Sequence, residues 1–215
     1  MTLQNSRQSG RLRLRHLMEH TEAVAEEMAD ERTRFNALAE PGSSPRVVSS
    51  FNLFQTPPQL ADTLASMFNR FGRTLEPSAG LGRLYQAIRR IDSSSEIVMV
   101  EQSADCCREL YETTEGDQNA KLIQGDFLEQ TSEKLGLFDS IIMNPPFKNG
   151  TDIKHIEHAA ALLAEGGRLV SVCYNGPRQQ RKFRDQECYE YHVLPTGSFR
   201  SEGTNAETAI VVIDR

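Results

Sequence analysis

The stretch Glu76-Pro77-Ser78-Ala79-Gly80-Leu81-Gly82 decides how this chain is read. Thr74 to Pro77 has the character of a short strand, and Leu84, Ile88 and Ile91 fit the apolar face of a helix that follows. Two glycines therefore fall at a strand–helix junction. Glycine there lets the backbone pass close to a ligand, in the crevice at the carboxyl ends of parallel strands. The stretch is not Gly-x-Gly-x-x-Gly and no Gly-Lys-Ser/Thr follows, so a phosphate cradle is not indicated. Ile97 to Val100 predicts a second strand, closing at Glu101 with Gln102 beside it. A carboxylate at that place can accept both hydroxyls of a ribose. Taken alone, the pairing also fits a tight structural turn followed by a solvated acid.

Outward from this core, β-rich runs alternate with amphipathic stretches. Thr56-Pro57 predicts a helix start, with a hydroxyl to cap free amides and proline at the first helical position. Leu60, Leu64, Met67, Phe68 and Phe71 give that helix its buried face. A helix near 104–113, a strand near 121–124 and a strand closing at Ile141-Ile142-Met143 follow. A helix over about 152–164 is expected to end at Gly166-Gly167, where glycine would supply a left-handed cap. Leu169 to Tyr174, Tyr191 to Leu194 and Ala209 to Ile213 complete the strands. Alternation of this kind implies an α/β fold with a mostly parallel sheet of seven strands and helices on both faces. The last two strands, joined by a loop at 195–208, imply one antiparallel edge strand.

The residues before this region read differently. Leu14, Leu17, Val24, Met28, Phe35 and Leu38 recur at three- and four-residue spacing, so 11–38 is expected to be one long helix, ended by Glu40-Pro-Gly-Ser-Ser-Pro45. It fits a helix packed on the main domain, or one that joins a second copy or another partner. The expected domains are an N-terminal helical extension over 1–45 and the α/β domain over 46–215.

Bulk properties narrow the function classes. The 215 residues suffice for one core, and no apolar run is long enough to span a membrane. Met1 to Arg15 is polar and basic, with no apolar stretch that would make it a secretory signal. Cys106, Cys107, Cys173 and Cys188 have neither metal-ligand nor disulfide-framework spacing, which suits reduced thiols in a cytoplasmic protein. The five histidines form no ligand-like cluster, so no metal is expected. A net charge of −6 argues against tight, sequence-independent coating of nucleic acid, but a local basic surface is enough for phosphate contact.

The second informative motif is Asn144-Pro145-Pro146-Phe147, directly after the apolar strand. Two prolines fix the backbone and remove amide donors, leaving carbonyls as acceptors. Asn144 adds a side-chain acceptor and Phe147 an aromatic face. Together they make a pocket rim that accepts hydrogen bonds from an amino group and stacks a flat ring; a plain Pro-Pro turn with a core Phe is the alternative.

The chain resembles the amino-group DNA methyltransferases of class I, which implies their Rossmann-like fold. Their cofactor motif, Asp/Glu-Pro-x-x-Gly-x-Gly, is matched by Glu76, Pro77, Gly80 and Gly82 with Ser78 and Ala79 between them. Their catalytic motif, Asp/Asn-Pro-Pro-aromatic, is matched by Asn144–Phe147. Phe54-Gln55-Thr56-Pro57 is similar to the family's segment that closes over the methionine end of the cofactor. Gly125-Asp126-Phe127 stands where the family has an acid on the cofactor's adenine amino group. The motif order resembles the gamma arrangement of adenine-N6 enzymes. The resemblance covers about 51–215 and implies S-adenosyl-L-methionine as methyl donor, S-adenosyl-L-homocysteine as product, and a nucleic-acid substrate, DNA before RNA. It further implies that Asn144 and Pro145 accept the two amino hydrogens while Phe147 stacks on an extruded base.

Asn stands where many members have Asp; both present an acceptor oxygen. The chain departs further from the family in leaving no stretch for a target-recognition domain, so another element would have to meet the polymer. Arg178, Arg181, Lys182 and Arg184 could contact phosphates or be a solvated helix face; Lys148 could meet a phosphate beside the target. Thr204 and Asn205 could border the pocket or satisfy turn hydrogen bonds. RNA bases, a protein glutamine amide, and an inactive subunit with this fold are the alternative readings.

Overall fold

Strands Ile97–Glu101 and Phe138–Met143 bury apolar side chains on both faces, with Ser140 the one buried polar residue between them, which commits them to a sheet covered on both sides. In the computed structural model, which describes residues 54–185 and 189–215, that sheet has seven strands in the order β3-β2-β1-β4-β5-β7-β6. In chain order the elements are α1 (Pro58–Ser66), β1 (Thr74–Glu76), α2 (Arg83–Ile91), β2 (Ile97–Glu101), α3 (Ala104–Thr113) and β3 (Ala120–Gln124). Then come α4 (Ser132–Leu135), β4 (Phe138–Met143), α5 (Thr151–Ala161), β5 (Leu163–Tyr174) and α6 (Pro177–Gln179), and finally β6 (Tyr189–Val193) and β7 (Thr208–Asp214). Strands β1 to β5 run parallel; β7 is antiparallel to both β5 and β6. The antiparallel strand thus lies at the expected end of the sheet, one place in from β6, which forms the outer edge. The helix expected over 11–38 and the boundary at residue 45 lie outside the described residues.

Alternation along the strands splits the core in two. Ile97, Met99, Ile142, Val170 and Val172 face α1, α2 and α3, whose Leu64, Leu84, Ile88 and Leu110 are fully or almost fully buried against them. Val98, Val100, Ile141, Met143 and Leu169 face the other way, against Ile156 and Ala159 of α5 and against Phe127. The strand-order reversal falls between β1 and β4, and a crevice opens there at the carboxyl ends.

Four local expectations fail for physical reasons. Helix α1 stops at Ser66 with Met67 as its C-cap, so Phe68 and Phe71, expected on its buried face, reach the core from the segment after it. Thr56 does not cap α1: Pro57 is the N-cap residue, Pro58 opens the helix, and the buried Thr56 belongs to the segment before it. Proline at both places sets the entry without a side-chain cap. Helix α5 ends at Ala161 rather than near Gly166, because Leu163 already pairs with Phe138 in the sheet. Gly166 and Gly167 instead sit in an irregularity of β5 between the Phe138 and Ser140 pairings. A Cβ on Gly167 would lie 2.9 Å from the Ala164 carbonyl oxygen and 3.1 Å from that of Asp139, so the site requires glycine. Ile91, placed on the buried face of α2, is 55% exposed at the helix's last turn.

Candidate active site

One cavity of about 680 Å³ opens at the carboxyl ends of β1 to β5, a size that suits a small-molecule ligand together with part of a second one. The first wall is the loop after β1. Gly80 and Gly82 have φ of 56° and 78°, a region open to glycine at little cost, and Gly82 is the N-cap of α2. A Cβ on Gly82 would meet Leu110 at 3.0 Å, so the glycine also lets α3 approach. Glu101, at the end of β2, holds this loop directly. Its Oε2 accepts from the Gly80 amide at 2.8 Å and its Oε1 from the Ser103 amide at 2.7 Å. The carboxylate is therefore fixed before any ligand arrives, with one bond on each oxygen.

Glu76, at the end of β1, is in a different state. It is 1% exposed, and its Oε2 has no hydrogen-bond partner among the described residues. Burial pushes its carboxyl well above the usual range. A hydrogen bond from the Tyr85 backbone opposes that rise, and the Glu101 charge adds to it. A buried carboxylate without a partner is costly unless a cation or a donor meets it.

The third wall is Asn144-Pro145-Pro146-Phe147. The side-chain Nδ2 of Asn144 donates to the Phe54 carbonyl at 3.0 Å, which fixes the amide orientation because that carbonyl can only accept. Oδ1 then carries no partner among the described residues and is buried. Phe147 packs edge-on to the fully buried Phe199, with ring centroids 6.3 Å apart and planes at 83°. Its carbonyl accepts from the Gly150 amide at 3.3 Å across a tight turn, in which Asn149 is the non-glycine residue with positive φ. That carbonyl is thus spoken for.

The end of β3 closes the cavity. The Oδ1 of Asp126 accepts from the Leu128 amide at 2.9 Å, and Phe127 is buried against His155, with centroids 5.6 Å apart. His155 is 7% exposed and its Nδ1 has no partner; burial lowers its pKa, the Asp126 charge raises it and His158 lowers it again. The ring is therefore neutral near pH 7.

The structure brings Phe54, Gln55, Thr56, Glu76, Pro77, Ser78, Ala79, Gly80, Glu101, Gln102, Asp126, Phe127, Asn144, Pro145, Pro146, Phe147 and Lys148 onto this one cavity. Pro57 and Gly82 lie behind its wall, setting the entry to α1 and the N-terminus of α2. The tentative substrate residues fare differently. Arg178, Arg181, Lys182, Thr204 and Asn205 do not line it. Thr204 accepts from the Ala206 amide at 3.1 Å, the turn role, and Asn205 accepts from Arg200 at 3.4 Å. Lys182 pairs with Glu157 on the surface, and the exposed Arg178 lies near Gly150. Sequence reasoning missed Arg83, Ser103, Thr151, His155, Tyr174 and Ala206, all on the cavity wall. Arg83 and Tyr174 were findable from adjacency to Gly82 and from the end of a parallel strand. Nothing local marked His155.

Residues 45–193 match the family described as methyltransferase small domain. No curated protein matches the sequence. Solved structures that share the fold include TrmN from Thermus thermophilus, at 18% identity and TM-score 0.58, covering 74% of this chain and 48% of that one. A putative RNA methyltransferase from Pyrococcus horikoshii aligns over 83% of this chain and 92% of its own, at 18% identity and TM-score 0.58. A predicted O-methyltransferase from Agrobacterium tumefaciens aligns over 71% and 78%, at 21% identity and TM-score 0.54.

Proposed function

Because the chain belongs to the methyltransferase small domain family, we propose that its S-adenosyl-L-methionine-dependent reaction methylates an exocyclic amino group on a nucleic-acid base, N6 of adenine in DNA before any other. The observation that carries this reading is Asn144: a buried acceptor oxygen with no partner, oriented by Phe54 and set beside a braced aromatic ring. An amino group is the donor that would complete it.

The cavity fits the cofactor. Glu76 offers an unpaired carboxylate oxygen to its cationic end, Glu101 retains lone pairs for ribose hydroxyls, and Asp126 and Phe127 lie one strand further out for its purine. When bound, S-adenosyl-L-methionine supplies an electrophilic methyl group. The chain's own residues do the rest. An exocyclic amine is a poor nucleophile because its lone pair is delocalised into the ring. Asn144 Oδ1 and the Pro145 carbonyl would accept its two hydrogens, draw the nitrogen towards tetrahedral geometry and localise that lone pair. Phe147 would hold the ring of a base taken out of its stack. The nitrogen would form its bond to the methyl carbon as the carbon–sulfur bond breaks, leaving S-adenosyl-L-homocysteine. The cationic, acidic product nitrogen would release one proton to water, so no general base is required before transfer. Positioning and preorganised acceptors supply the rate.

RNA is the second reading, favoured by the name of the putative RNA methyltransferase from Pyrococcus horikoshii that shares the fold. A protein glutamine amide presents the same electronic problem and ranks below both. Every described residue from Phe54 onwards belongs to the sheet, its covering helices or their loops, with no separate recognition lobe among them. The helix expected over 11–38 is the candidate joint to a second copy or a recognition subunit. No helix among the described residues is long and apolar enough to cross a membrane, and the cytoplasm is the proposed location.

The deciding experiment is transfer of labelled methyl to matched double-stranded DNA, single-stranded DNA and RNA, followed by digestion to nucleosides. N6-methyladenine in DNA is the expected product. Label in RNA alone would keep the chemistry and overturn the polymer. A separate test addresses Glu101. Glu101→Ala removes the anchor of both the Gly80 and Ser103 amides as well as the ribose acceptor. S-adenosyl-L-homocysteine should then bind about 100-fold more weakly by calorimetry, the scale of two charge-assisted hydrogen bonds. Unchanged affinity would remove Glu101 from the site.

A further inference from the structure

Tyr174 is an exposed aromatic residue that the fold holds rigid. It ends β5, the neighbour of the strand that leads into Asn144. Met143 pairs with Ser171, so continuing that register sets Tyr174 level with the Pro145-Pro146 step. Its side chain is 41% exposed yet forms part of the cavity wall.

Three contacts fix it. Tyr174 pairs with Thr208 of β7. Its amide donates to Oδ2 of Asp152 at 3.0 Å, and Asp152 is wholly buried. That carboxylate is held in turn by Nε2 of the buried Gln179, at 3.0 and 2.9 Å from its two oxygens. Beneath the ring lies Gly176. A Cβ there would stand 2.7 Å from Cε1 and 2.8 Å from Cδ1 of Tyr174, distances no real Cβ adopts. Burying a carboxylate is expensive, and here it holds the backbone amide of the residue that carries the exposed ring. An aromatic ring at a cavity mouth that projects from a fixed strand end and rests against Gly176 has less freedom to lose on stacking than one on a loop.

We infer that Tyr174 is a second aromatic surface of the substrate site, which together with Phe147 contacts the flat heteroaromatic base presented for methylation. The inference rests on the proposed reading that the acceptor is a nucleic-acid base. Asp152 and Gly176 are positioning residues in this scheme: they act through Tyr174 and do not touch the base. The arrangement gives a fold with no recognition lobe among its described residues a contact that tolerates different bases around the target, because every base has a π-face.

The test uses the full chain with Tyr174→Ala, Tyr174→Phe, Gly176→Ala and Asn144→Ala, on whichever polymer the wild type methylates. Tyr174→Ala should raise KM for the polymer about tenfold or more, the scale of one lost base–aromatic stack. Tyr174→Phe should stay near the wild type, and Gly176→Ala should fall between them. Affinity for S-adenosyl-L-homocysteine should hold within about twofold in all three. Wild-type KM and kcat in Tyr174→Ala, with transfer still lost in Asn144→Ala, would overturn the inference and leave the reading standing. Restoration of activity by Phe but not by Ala separates stacking from a purely structural role. A wild type that methylates no nucleic acid would remove the reading, and the inference with it.

Discussion

Asn144→Ala should lower the rate of methyl transfer by about 1,000-fold while leaving S-adenosyl-L-homocysteine affinity within a few fold of the wild type. The magnitude follows from what is removed. Oδ1 is a buried acceptor with no partner, so its full hydrogen-bonding capacity is available to an amino group as that nitrogen leaves the plane of its ring. A preorganised group aimed at developing charge is worth about 100- to 1,000-fold in turnover. Nδ2 contributes separately, because it ties the Phe54 carbonyl to the rim. Asn144→Asp therefore makes an informative companion. It keeps an acceptor but sets an oxygen against the Phe54 carbonyl, and should retain more activity than Ala while loosening the 54–57 segment. Stopped-flow or quench measurement of a single turnover reads the chemical step apart from product release. A near-normal single-turnover rate in Asn144→Ala would end the role assigned to this side chain.

What the sequence could carry differs from element to element. Helix α3 was expected near 104–113 and runs over Ala104–Thr113, because Ser103 supplies an N-cap whose side chain accepts from the Cys106 amide at 3.4 Å. Strands β2 and β4 were legible because runs of apolar residues bounded by turn chemistry fit little else. The end of α5 was not. Gly166-Gly167 has the appearance of a helix cap, but the pairing of Leu163 with Phe138 is a tertiary fact, and it stops the helix sooner. Thr56 fails for a local reason: the chain has a second proline at 58, so Pro57 takes the N-cap place and Thr56 falls one residue too early to cap. In the site, residues at the ends of β1, β2, β3 and β4 were readable since chemistry collects there by topology. His155 and the Asp152–Gln179–Tyr174 arrangement were not, because each depends on side chains brought together across many residues of chain.

Glu76→Gln should make the ligand-free protein more stable at neutral pH while weakening cofactor binding about 100-fold, the scale of losing one side of a buried charge pair. The direction of the first effect comes from linkage. Burial raises the carboxyl of Glu76 above its unfolded value of 4.5. Below pH 4.5 both states hold the proton and the group contributes nothing to the pH dependence. As pH rises above 4.5 the unfolded chain releases its proton first, so the folded state binds more protons than the unfolded one. Stability then falls with rising pH until the folded carboxyl ionises, and the full penalty remains above that point. Glutamine cannot ionise and still accepts through its carbonyl oxygen, so the variant should unfold at a higher temperature than the wild type at pH 7 to 8, with the gap closing towards pH 4. The second effect has the opposite sign because the unpaired Oε2 is where a cationic ligand gains most. Saturating cofactor should therefore raise the midpoint of the wild type more than that of the variant, by the mass action of tighter binding to the folded state. Thermal scans at several pH values, with and without S-adenosyl-L-methionine, read both effects in one series. A variant less stable than the wild type at pH 8, or one that binds the cofactor equally well, would show that Glu76 is a structural carboxyl and not a strained one kept for a ligand. The expected pattern ties a loss of stability in the empty fold to a gain in binding, which is how a cavity can keep a buried carboxyl with one oxygen that no described residue meets.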